Sequence, residues 1–342
     1  MRALIIGGGA IGTLAATALG TAGSEILAVA RPTTAQALTE HGYRLTGPDL
    51  DQIIRPSLVT GDWAEALATQ PDVLVVAVKA YDTSALLADV RPALGSHIPA
   101  VLCLQNGLDN EAALAKVFGA ENVLSGTVTT AVGLRGPGHA VLERARGIGI
   151  AEGHALSATL AAAFSIGGHR VKRYPDPGAM KWSKLLTNLI GNATSALLDW
   201  PVARIYRHGG VYGIERRMLR EVLAVMRALS LPVVDLPGVR VRLIPPVLAL
   251  PAWLGRPLLG RAAGGGRGAK MPSFHVDVFG GKPLTEVAWL NGAVARYAAR
   301  VKMQAPVNAA LTTALNAASA GQPFALAFRN DPQALLAHIN QA

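Results

Sequence analysis

The chain has 342 residues, of which 51% are hydrophobic and 16% charged, so it is long enough for two domains and apolar enough to bury a sizeable core. Its one cysteine excludes an internal disulfide, and no Cys/His spacing indicates a metal site. The net charge of +10 is not arranged as basic runs interleaved with aromatic residues, which argues against nucleic-acid binding. We expect arginines that are spread over the surface, which could still attract a phosphate-rich cofactor and an anionic substrate.

A short apolar strand at the N-terminus runs directly into a glycine-rich turn and then into an apolar helix, Thr13–Leu19. The turn fits G-x-G-x-x-G, which as a bare string could be an ordinary loop. Between a strand and a helix it predicts a dinucleotide site, with the pyrophosphate at the N-terminus of the helix. The predicted cofactor-binding residues of this loop are Gly7, Gly9, Ala10, Ile11 and Gly12.

Arg31 follows a second predicted strand, residues 25–30. An acidic residue at this strand end would contact the ribose 2′-hydroxyl of NAD, whereas an arginine accommodates the 2′-phosphate of NADP. We therefore expect NADPH as the cofactor, with Arg31 on its 2′-phosphate. The alternative is an ordinary loop arginine.

Two further strands, Asp72–Val78 and Ala100–Leu104, are continuously apolar, as expected of parallel strands that are covered on both faces. Ligands of such sheets bind at the carboxyl ends of the strands. Lys79 stands at one of these ends and is predicted to approach cofactor or substrate, with a solvated loop lysine as the alternative. Asn106 stands at the other end, where its amide could bind cofactor or a substrate oxygen, but taken alone an Asn before Gly is more typical of a turn. Cys103 is expected to be a buried thiol, in keeping with a reducing, cytoplasmic setting.

Val123–Val132 and Ala140–Ile150 are predicted as strands that complete the sheet of the first domain, with a hairpin turn at Gly133–Gly138. A helix near residues 155–166 and a strand over His169–Tyr174 follow. We place the end of this domain at residue 176, so that the predicted domains are 1–176 and 177–342.

One long helix is predicted from Ala179 to Leu198. Lys184, Asn188 and Asn192 recur every four residues and would form one polar stripe on that helix. A polar stripe is normally a solvated face, but asparagine is a poor helix former, so a polar lining for a small ligand is the alternative.

The rest of the chain also reads as helical, beginning with a helix over residues 212–230 whose charged residues, Glu215 among them, are expected on its outer side. Residues 232–269 are rich in Pro, Arg, Leu and Gly, and predict a broken excursion of short helices ending in a flexible hinge at 264–268. Prolines and flanking arginines exclude a membrane span over 241–260. These apolar residues could instead form the interface of a homodimer.

Thr285 is predicted to cap a helix over Val287–Val301 that begins with Glu286 in its first turn. Further helices are expected over Pro306–Ala318 and Pro332–Ile339.

Taken together, the motifs of the chain resemble those of the ketopantoate reductases (2-dehydropantoate 2-reductases), in the same order over nearly the whole length. The resemblance rests on Gly7-x-Gly9-Ala10-x-Gly12, Arg31, Val78-Lys79-Ala80, Gln105-Asn106-Gly107, Lys184-x-x-x-Asn188-x-x-x-Asn192, Ser273-x-x-x-Asp277 and Thr285-Glu286-x-x-x-x-Asn291-Gly292.

The resemblance implies an α/β fold, in which an N-terminal Rossmann-type NADPH-binding domain is followed by an all-α C-terminal domain, with the active site in the cleft between them. It implies Lys184 as the general acid, Glu286 as the residue that assists it, and Asn106, Asn188, Asn192 and Ser273 as residues that bind substrate or cofactor. The implied reaction is the reduction of ketopantoate to pantoate in pantothenate and coenzyme A biosynthesis.

Two features depart from the family pattern, namely one additional residue between Asp277 and Glu286 and the unusual segment before Ser273. Both lie where the substrate is expected. A relative that reduces a different 2-keto or 2-imino acid, including an opine-type dehydrogenase, therefore remains the alternative. A non-catalytic NADPH-binding protein is the third reading, against which Lys184 and Glu286 argue.

Overall fold

The computed structural model describes residues 1–264 and 271–341. The chain divides into two compact units, the first comprising Met1–Lys181 with Leu236–Val239, and the second comprising Trp182–Asp235 with the chain from Arg240 onward. The division thus falls five residues after the predicted end at 176, and a short return of the chain at 236–239 joins the first unit. There the Thr129 hydroxyl donates a hydrogen bond to the carbonyl of Pro237 at 2.7 Å.

The described strands of the first unit are short and form two sheets. They are β1 (Arg2–Ile6), β2 (Glu25–Val29), β3 (Tyr43–Gly47), β4 (Leu50–Ile54), β5 (Leu58–Thr60), β6 (Val73–Val76), β7 (Ala100–Cys103), β8 (Val123–Val128), β9 (Ala131–Gly136), β10 (His139–Arg144), β11 (Ile148–Ala151) and β12 (Val171–Tyr174). The larger sheet has the order β12–β11–β8–β7–β6–β1–β2–β5, and its neighbouring strands are parallel except for β8 and β11.

The register of the central strands positions the candidate site. Ile6 at the end of β1 pairs with Val29 of β2 and with Val76 of β6, which in turn pairs with Cys103 of β7. The carboxyl ends of four neighbouring parallel strands therefore lie in one row, at the edge of the sheet where ligands of such folds bind.

Helices cover both faces of the large sheet, as its continuously apolar strands predict. In the first unit these are α1 (Ala10–Thr21), α2 (Pro32–His41), α3 (Trp63–Ala68), α4 (Thr83–Val90), α5 (Asn110–Phe118) and α6 (Ser157–Ile166), with 3₁₀ turns at Ala80–Asp82, Arg91–Ala93 and Ala120–Asn122. Ile5 of β1 packs with Leu14 and Phe164 on one face, whereas Leu4 and Ile6 belong to the core on the other face.

The second sheet corrects one expectation. Val123–Val132 and Ala140–Ile150 are each two strands rather than one, and β9 and β10 leave the main sheet to form a separate sheet of order β4–β3–β10–β9. The turn between β9 and β10 is shorter than predicted, because β9 continues to Gly136. The hairpin of β3 and β4 had no counterpart in the sequence analysis.

The regular elements among the described residues of the second unit are all helices, which confirms the predicted fold class. Its helices are α7 (Pro177–Leu189, which begins in the first unit), α8 (Ala193–Leu198), α9 (Val202–Arg207), α10 (Gly209–Ala228), α11 (Ile244–Ala249), α12 (Ala252–Gly264), α13 (Ser273–Phe279), α14 (Asn291–Arg300), α15 (Pro306–Ser319), α16 (Pro323–Leu326) and α17 (Pro332–Asn340), with 3₁₀ turns at Val241–Leu243 and Glu286–Trp289.

The unusual segment before α13 contains α11, of 6 residues, and α12, of 13 residues. Most of the hinge predicted at 264–268 lies outside the described residues. Along α12, Trp253, Leu254 and Leu258 are exposed, and the homodimer inferred from this segment stays a prediction. None of the described helices combines the length and the apolar character that crossing a membrane requires.

Candidate active site

The glycine-rich turn has the geometry that a dinucleotide loop requires. Gly7 follows β1 with φ +110°, a conformation that side chains disfavour. A Cβ at Gly12 would lie 1.9 Å from the carbonyl oxygen of Gly7, so only glycine lets α1 pack this closely on the turn. A Cβ at Gly9, by contrast, would meet no atom within 4 Å. The turn therefore leaves open space in front of the helix.

The N-terminus of α1 fits an anion. Gly9 is its N-cap residue and supplies no side-chain cap, and the first turn carries no acidic residue. Unpaired N–H groups and the helix dipole favour negative charge at such an end. The residues predicted to hold a pyrophosphate thus form a fitting cradle for it.

Gly8, which the sequence analysis did not single out, links this loop to two other elements. Its carbonyl oxygen accepts a hydrogen bond from the N–H of Gly138, in the turn between β9 and β10, at 2.9 Å. A Cβ at Gly8 would lie 2.3 Å from the Cγ2 atom of Thr34 in α2. In the sequence, Gly8 is visible only as an additional glycine between Gly7 and Gly9. The need for glycine there follows from the position of Thr34 on α2.

Arg31 stands two residues after β2 and is the N-cap residue of α2. Its side chain is exposed, as is that of Thr33. Because β1 and β2 end in register, Arg31 follows the strand next to the glycine loop. This is the position at which the fold logic places a contact to the 2′-position of the ribose.

Lys79 and Asn106 follow the next two strands of the row and are both half-buried. Gln105 ties these strand ends together, because its Nε2 donates hydrogen bonds to the Val78 carbonyl at 3.1 Å and to the Thr83 hydroxyl at 2.9 Å. The carbonyl of Asn106 accepts a hydrogen bond from the Asn110 side chain at 2.9 Å. Gln105 belongs to the Gln105-Asn106-Gly107 motif, but its sequence context predicted no role for it.

Cys103, at the end of β7, is fully buried, as expected. Burial, reinforced by the nearby Glu111 carboxylate, raises the pKa of its thiol. A protonated and inaccessible thiol is unreactive, so Cys103 is a core residue rather than a nucleophile.

In the second unit, the single long helix predicted over Ala179–Leu198 is wrong. The chain forms α7 and α8, which are separated by a turn in which Gly191 has φ +63°. Lys184 and Asn188 lie on α7 and are half-buried, whereas Asn192 is buried at the N-cap of α8. The three polar residues therefore do not lie on one continuous helix, because Asn192 follows the turn at Gly191.

Asn192 and Ser273 are brought together by the fold. Nδ2 of Asn192 donates a hydrogen bond to Oγ of Ser273 at 3.3 Å, and Oδ1 accepts one from the N–H of Phe274 at 3.1 Å. The same Nδ2 also donates to the carbonyl of Asn188 at 3.1 Å. The buried amide thus fixes the first turn of α13, while Ser273 itself stays exposed.

The break between α7 and α8 is stabilised by Glu215, and here the expectation of an outward-facing side chain is wrong. Glu215 is fully buried. Its carboxylate accepts hydrogen bonds from the Gly191 N–H at 2.8 Å, the Thr194 hydroxyl at 2.7 Å and the Tyr206 hydroxyl at 3.0 Å. The apolar periodicity of α10 does not predict that Glu215 is buried, because its hydrogen-bond partners lie outside this helix.

Glu286 begins a 3₁₀ turn and is 4% exposed. Thr285 is the N-cap residue, as predicted, and its hydroxyl accepts from the N–H of Val287. The helix expected over Val287–Val301 is interrupted at Leu290, whose backbone angles are φ −106° and ψ −94°, and α14 begins at Asn291. Asn291 is buried and donates to the Asn308 side chain at 3.0 Å, which indicates a structural role.

Two side-chain contacts hold the helix that carries Ser273. The buried Asp277 forms a salt bridge with Lys282 at 2.7 Å. Nε2 of His275 forms a hydrogen bond with Oδ1 of Asp199 at 2.7 Å, and Arg329 forms a salt bridge with the other carboxylate oxygen of Asp199 at 2.7 Å. Partial burial acts to raise the pKa of Asp199, but hydrogen bonds from His275 and Arg329 outweigh it and hold that pKa below its usual value.

Comparison with known families decides the relationship. The family model described as ketopantoate reductase PanE/ApbA matches residues 3–154, and the model of its C-terminal domain matches residues 178–319. The chain belongs to the ketopantoate reductase family. As a member it is an oxidoreductase, and the family reaction is the reduction of a 2-oxo acid.

Curated ketopantoate reductases show the same relationship at moderate identity. The 2-dehydropantoate 2-reductase of Halobacterium salinarum is 36% identical over 211 residues, which cover 58% of this chain and 66% of that protein, just under two thirds of its length. The enzyme of Streptococcus pyogenes serotype M1 is 22% identical over 295 residues, or 83% of this chain and 86% of that protein.

Solved structures agree with the family fold. A PanE/ApbA family ketopantoate reductase from Ralstonia eutropha has a TM-score of 0.80 at 28% identity, covering 94% of this chain and 99% of that one. A D-mandelate dehydrogenase in complex with NADH and anilino(oxo)acetate has a TM-score of 0.76 at 20% identity, with the same coverage, and shares the fold.

Proposed function

We propose that this protein reduces ketopantoate to pantoate with NADPH, the reaction that serves pantothenate and coenzyme A biosynthesis. The observation that carries the proposal is the glycine-rich turn, in which Gly12 packs against the Gly7 carbonyl and the following helix has no side-chain cap. In a member of this family, such a turn supports a dinucleotide site. The reaction also requires a proton donor, and Lys184 stands at the position that the family resemblance implies for the general acid.

The choice of NADPH over NADH rests on Arg31. It follows the second strand at the position where an acidic residue would serve the 2′-hydroxyl of NAD. An exposed guanidinium there can form paired hydrogen bonds with a phosphate, and Thr33 adds an exposed hydroxyl beside it. The glycine loop and the α1 N-terminus would hold the pyrophosphate, with Ala10 and Ile11 contributing backbone N–H groups. Lys79 would contact the nucleotide from the end of the third strand in the row.

Lys184 is the proposed general acid. Bound NADPH supplies the hydride that reduces the carbonyl carbon. Reduction leaves negative charge on the carbonyl oxygen, and a positive donor at that oxygen both stabilises the charge and delivers the proton. The Lys184 ammonium can do both, because it carries three hydrogens.

The remaining site residues are proposed to orient the substrate. Asn106, Asn188 and Ser273 offer uncharged donors and acceptors, which bind hydroxyl and carboxylate oxygens without cancelling the charge of Lys184. Glu286 is proposed to hold the Lys184 ammonium or a substrate hydroxyl. For Asn192 the hydrogen bonds favour an indirect role, since its amide already serves Asn188, Ser273 and Phe274.

A different 2-oxo or 2-imino acid is the second candidate substrate. The segment that leads to Ser273 contains α11 and α12, and no acidic residue occurs between Asp235 and Asp277. The fold itself is compatible with other substrates, because the D-mandelate dehydrogenase with the same fold was solved with anilino(oxo)acetate and NADH.

The test is NADPH oxidation by the purified protein with ketopantoate beside pyruvate, 2-oxoisovalerate and benzoylformate, and with an amine added for imine formation. We expect the highest kcat/KM with ketopantoate. A higher kcat/KM with another acid would assign the second candidate, and no oxidation with any of them would contradict the proposed activity. Replacing NADPH by NADH in the same assay tests the nucleotide.

A further inference from the structure

The side chain of Lys181 is buried within the first unit, although lysine is rarely buried. It lies near the start of α7 and is 6% exposed. Its ammonium donates a hydrogen bond to the backbone carbonyl of Gln105 at 2.7 Å and lies 2.8 Å from a carboxylate oxygen of Glu111 on α5. One charged side chain thus joins α7, α5 and the turn that follows β7.

The turn that receives this contact is the one that carries Asn106. Gln105 is 4% exposed, and its side chain is tied to the neighbouring strand end through the Val78 carbonyl and the Thr83 hydroxyl. Lys181 holds the main chain of the same residue. The backbone of Asn106 is held from its other side by Asn110. The side chain of Asn106 is therefore presented from a backbone that is fixed at both flanks.

A contribution to stability explains this ion pair poorly. Removing an ammonium and a carboxylate from water is costly, and apolar side chains of similar size are often as stable or more stable in their place. Charged hydrogen bonds instead select one backbone conformation, because a buried ammonium must keep its partners.

We infer that Lys181 is a positioning residue for the nicotinamide nucleotide: paired with Glu111, it fixes the Gln105 carbonyl and thereby sets the orientation of Asn106 toward the nucleotide. The inference rests on the proposed function, in which Asn106 contacts the cofactor. It adds a residue outside the motifs of the sequence analysis, one helical turn before Lys184 on the same helix.

The inference is tested by nucleotide affinity in the full chain, measured by quenching of protein fluorescence on titration with NADPH. Lys181→Met keeps the length and volume of the side chain and removes its charge, and Lys116→Met on the exposed end of α5 is the matched control. We expect Lys181→Met to raise the Kd for NADPH about tenfold, the effect of about 1.4 kcal/mol, and the control to leave it unchanged. Unchanged affinity in Lys181→Met, with or without a lower melting temperature, would overturn the inference.

Asn106→Ala separates this inference from the proposed function. Asn106→Ala alone should raise the Kd for NADPH, and a failure to do so contradicts the proposed role of Asn106. In the Asn106→Ala background, Lys181→Met should have no further effect on the Kd, because the residue through which it acts is gone. An equal effect of Lys181→Met in both backgrounds would overturn the positioning role even where the proposed function holds.

Glu111→Gln separates positioning from simple attraction between Lys181 and the phosphates. If Lys181 acted by attraction, removal of the neighbouring negative charge would strengthen nucleotide binding. If Lys181 acts by position, loss of the ion pair frees the ammonium and weakens binding. We expect the Kd to rise in Glu111→Gln, and a lower Kd would overturn the inference.

Discussion

The buried amide of Asn192 holds Ser273 at the start of α13, with 3.3 Å between Nδ2 and the serine Oγ. Oδ1 of the same amide accepts a hydrogen bond from the N–H of Phe274, the residue after Ser273. Asn192 thus determines where Ser273 stands, and both residues occupy positions that the family resemblance implies for substrate or cofactor binding. The two positions lie 81 residues apart in the chain and are proposed to act as one unit.

Asn192→Ala is therefore expected to impair substrate binding through Ser273. Loss of the amide frees the hydroxyl and leaves the N–H of Phe274 without its acceptor, so we expect the KM for the 2-oxo acid to rise about tenfold, which corresponds to about 1.4 kcal/mol. Steady-state kinetics of Asn192→Ala, Ser273→Ala and the double variant measure this coupling. Fully additive effects in the double variant would show that the two side chains act independently.

Glu215→Gln should destabilise the protein. The carboxylate accepts three buried hydrogen bonds, and hydrogen bonds to charged groups contribute about 1.5–3 kcal/mol each. Because the amide can replace only part of this set, we expect the free energy of unfolding in urea to fall by about 2 kcal/mol. Glu65→Gln, at an exposed position on α3, is the control and should change it by less than about 0.5 kcal/mol. Equal stability of the two variants would mean that Glu215 does not stabilise the break between α7 and α8.

Arg31→Ala should reduce discrimination between the two nucleotides. The guanidinium is proposed to bind the 2′-phosphate, which NADH lacks, so we expect the Kd for NADPH to rise by about 10- to 100-fold, as for loss of a charged hydrogen-bonded pair worth roughly 1.5–3 kcal/mol. The Kd for NADH should hardly change. Arg91→Ala, which removes the same charge from an exposed position on the first unit, is the control. An unchanged ratio of the two dissociation constants in Arg31→Ala would exclude the proposed contact.

The lowered pKa of Asp199 predicts that the protein loses stability in acid. Since its pKa is lower in the folded protein than its usual value of about 3.9, the carboxylate stabilises the fold above that pH, and this contribution is lost as the pH falls through the lower folded value. Asp199 has φ +55°, a conformation that asparagine tolerates, so Asp199→Asn preserves the backbone.

The difference in urea midpoint between wild type and Asp199→Asn reports this contribution. This difference should shrink as the pH falls below about 3.9. A difference that grows as the pH falls would reverse the assigned direction of the pKa shift.

Local signals predicted the central strands of the first unit well, and several candidate site residues of that unit stand within three residues of a strand end. Gly7, Arg31, Lys79 and Asn106 each stand after an apolar run, and the parallel register then brings those strand ends into one row. Gly8 escaped notice since its neighbours, Thr34 and Gly138, come from other parts of the chain.

The second unit was less accessible to sequence reasoning, for the same physical reason. The break at Gly191 depends on Glu215, and the cap of α13 depends on Asn192, in each case across more than 20 residues. Apolar periodicity reports which face of a helix is buried, but a buried carboxylate such as Glu215 counts as polar and is assigned to the surface. The helix predicted over Ala179–Leu198 is interrupted at Gly191, whose N–H donates a hydrogen bond to Glu215.

Lys184 is proposed to donate the proton during NADPH-linked reduction of a 2-oxo acid. The most direct measurement is kcat for NADPH oxidation with saturating ketopantoate in wild type and Lys184→Ala, with NADPH affinity measured on both proteins. We expect kcat to fall by about 10²-fold or more, the usual contribution of one acid–base group, while the Kd for NADPH stays close to that of wild type. A Lys184→Ala variant that turns over at a near-normal rate would exclude Lys184 as the proton donor.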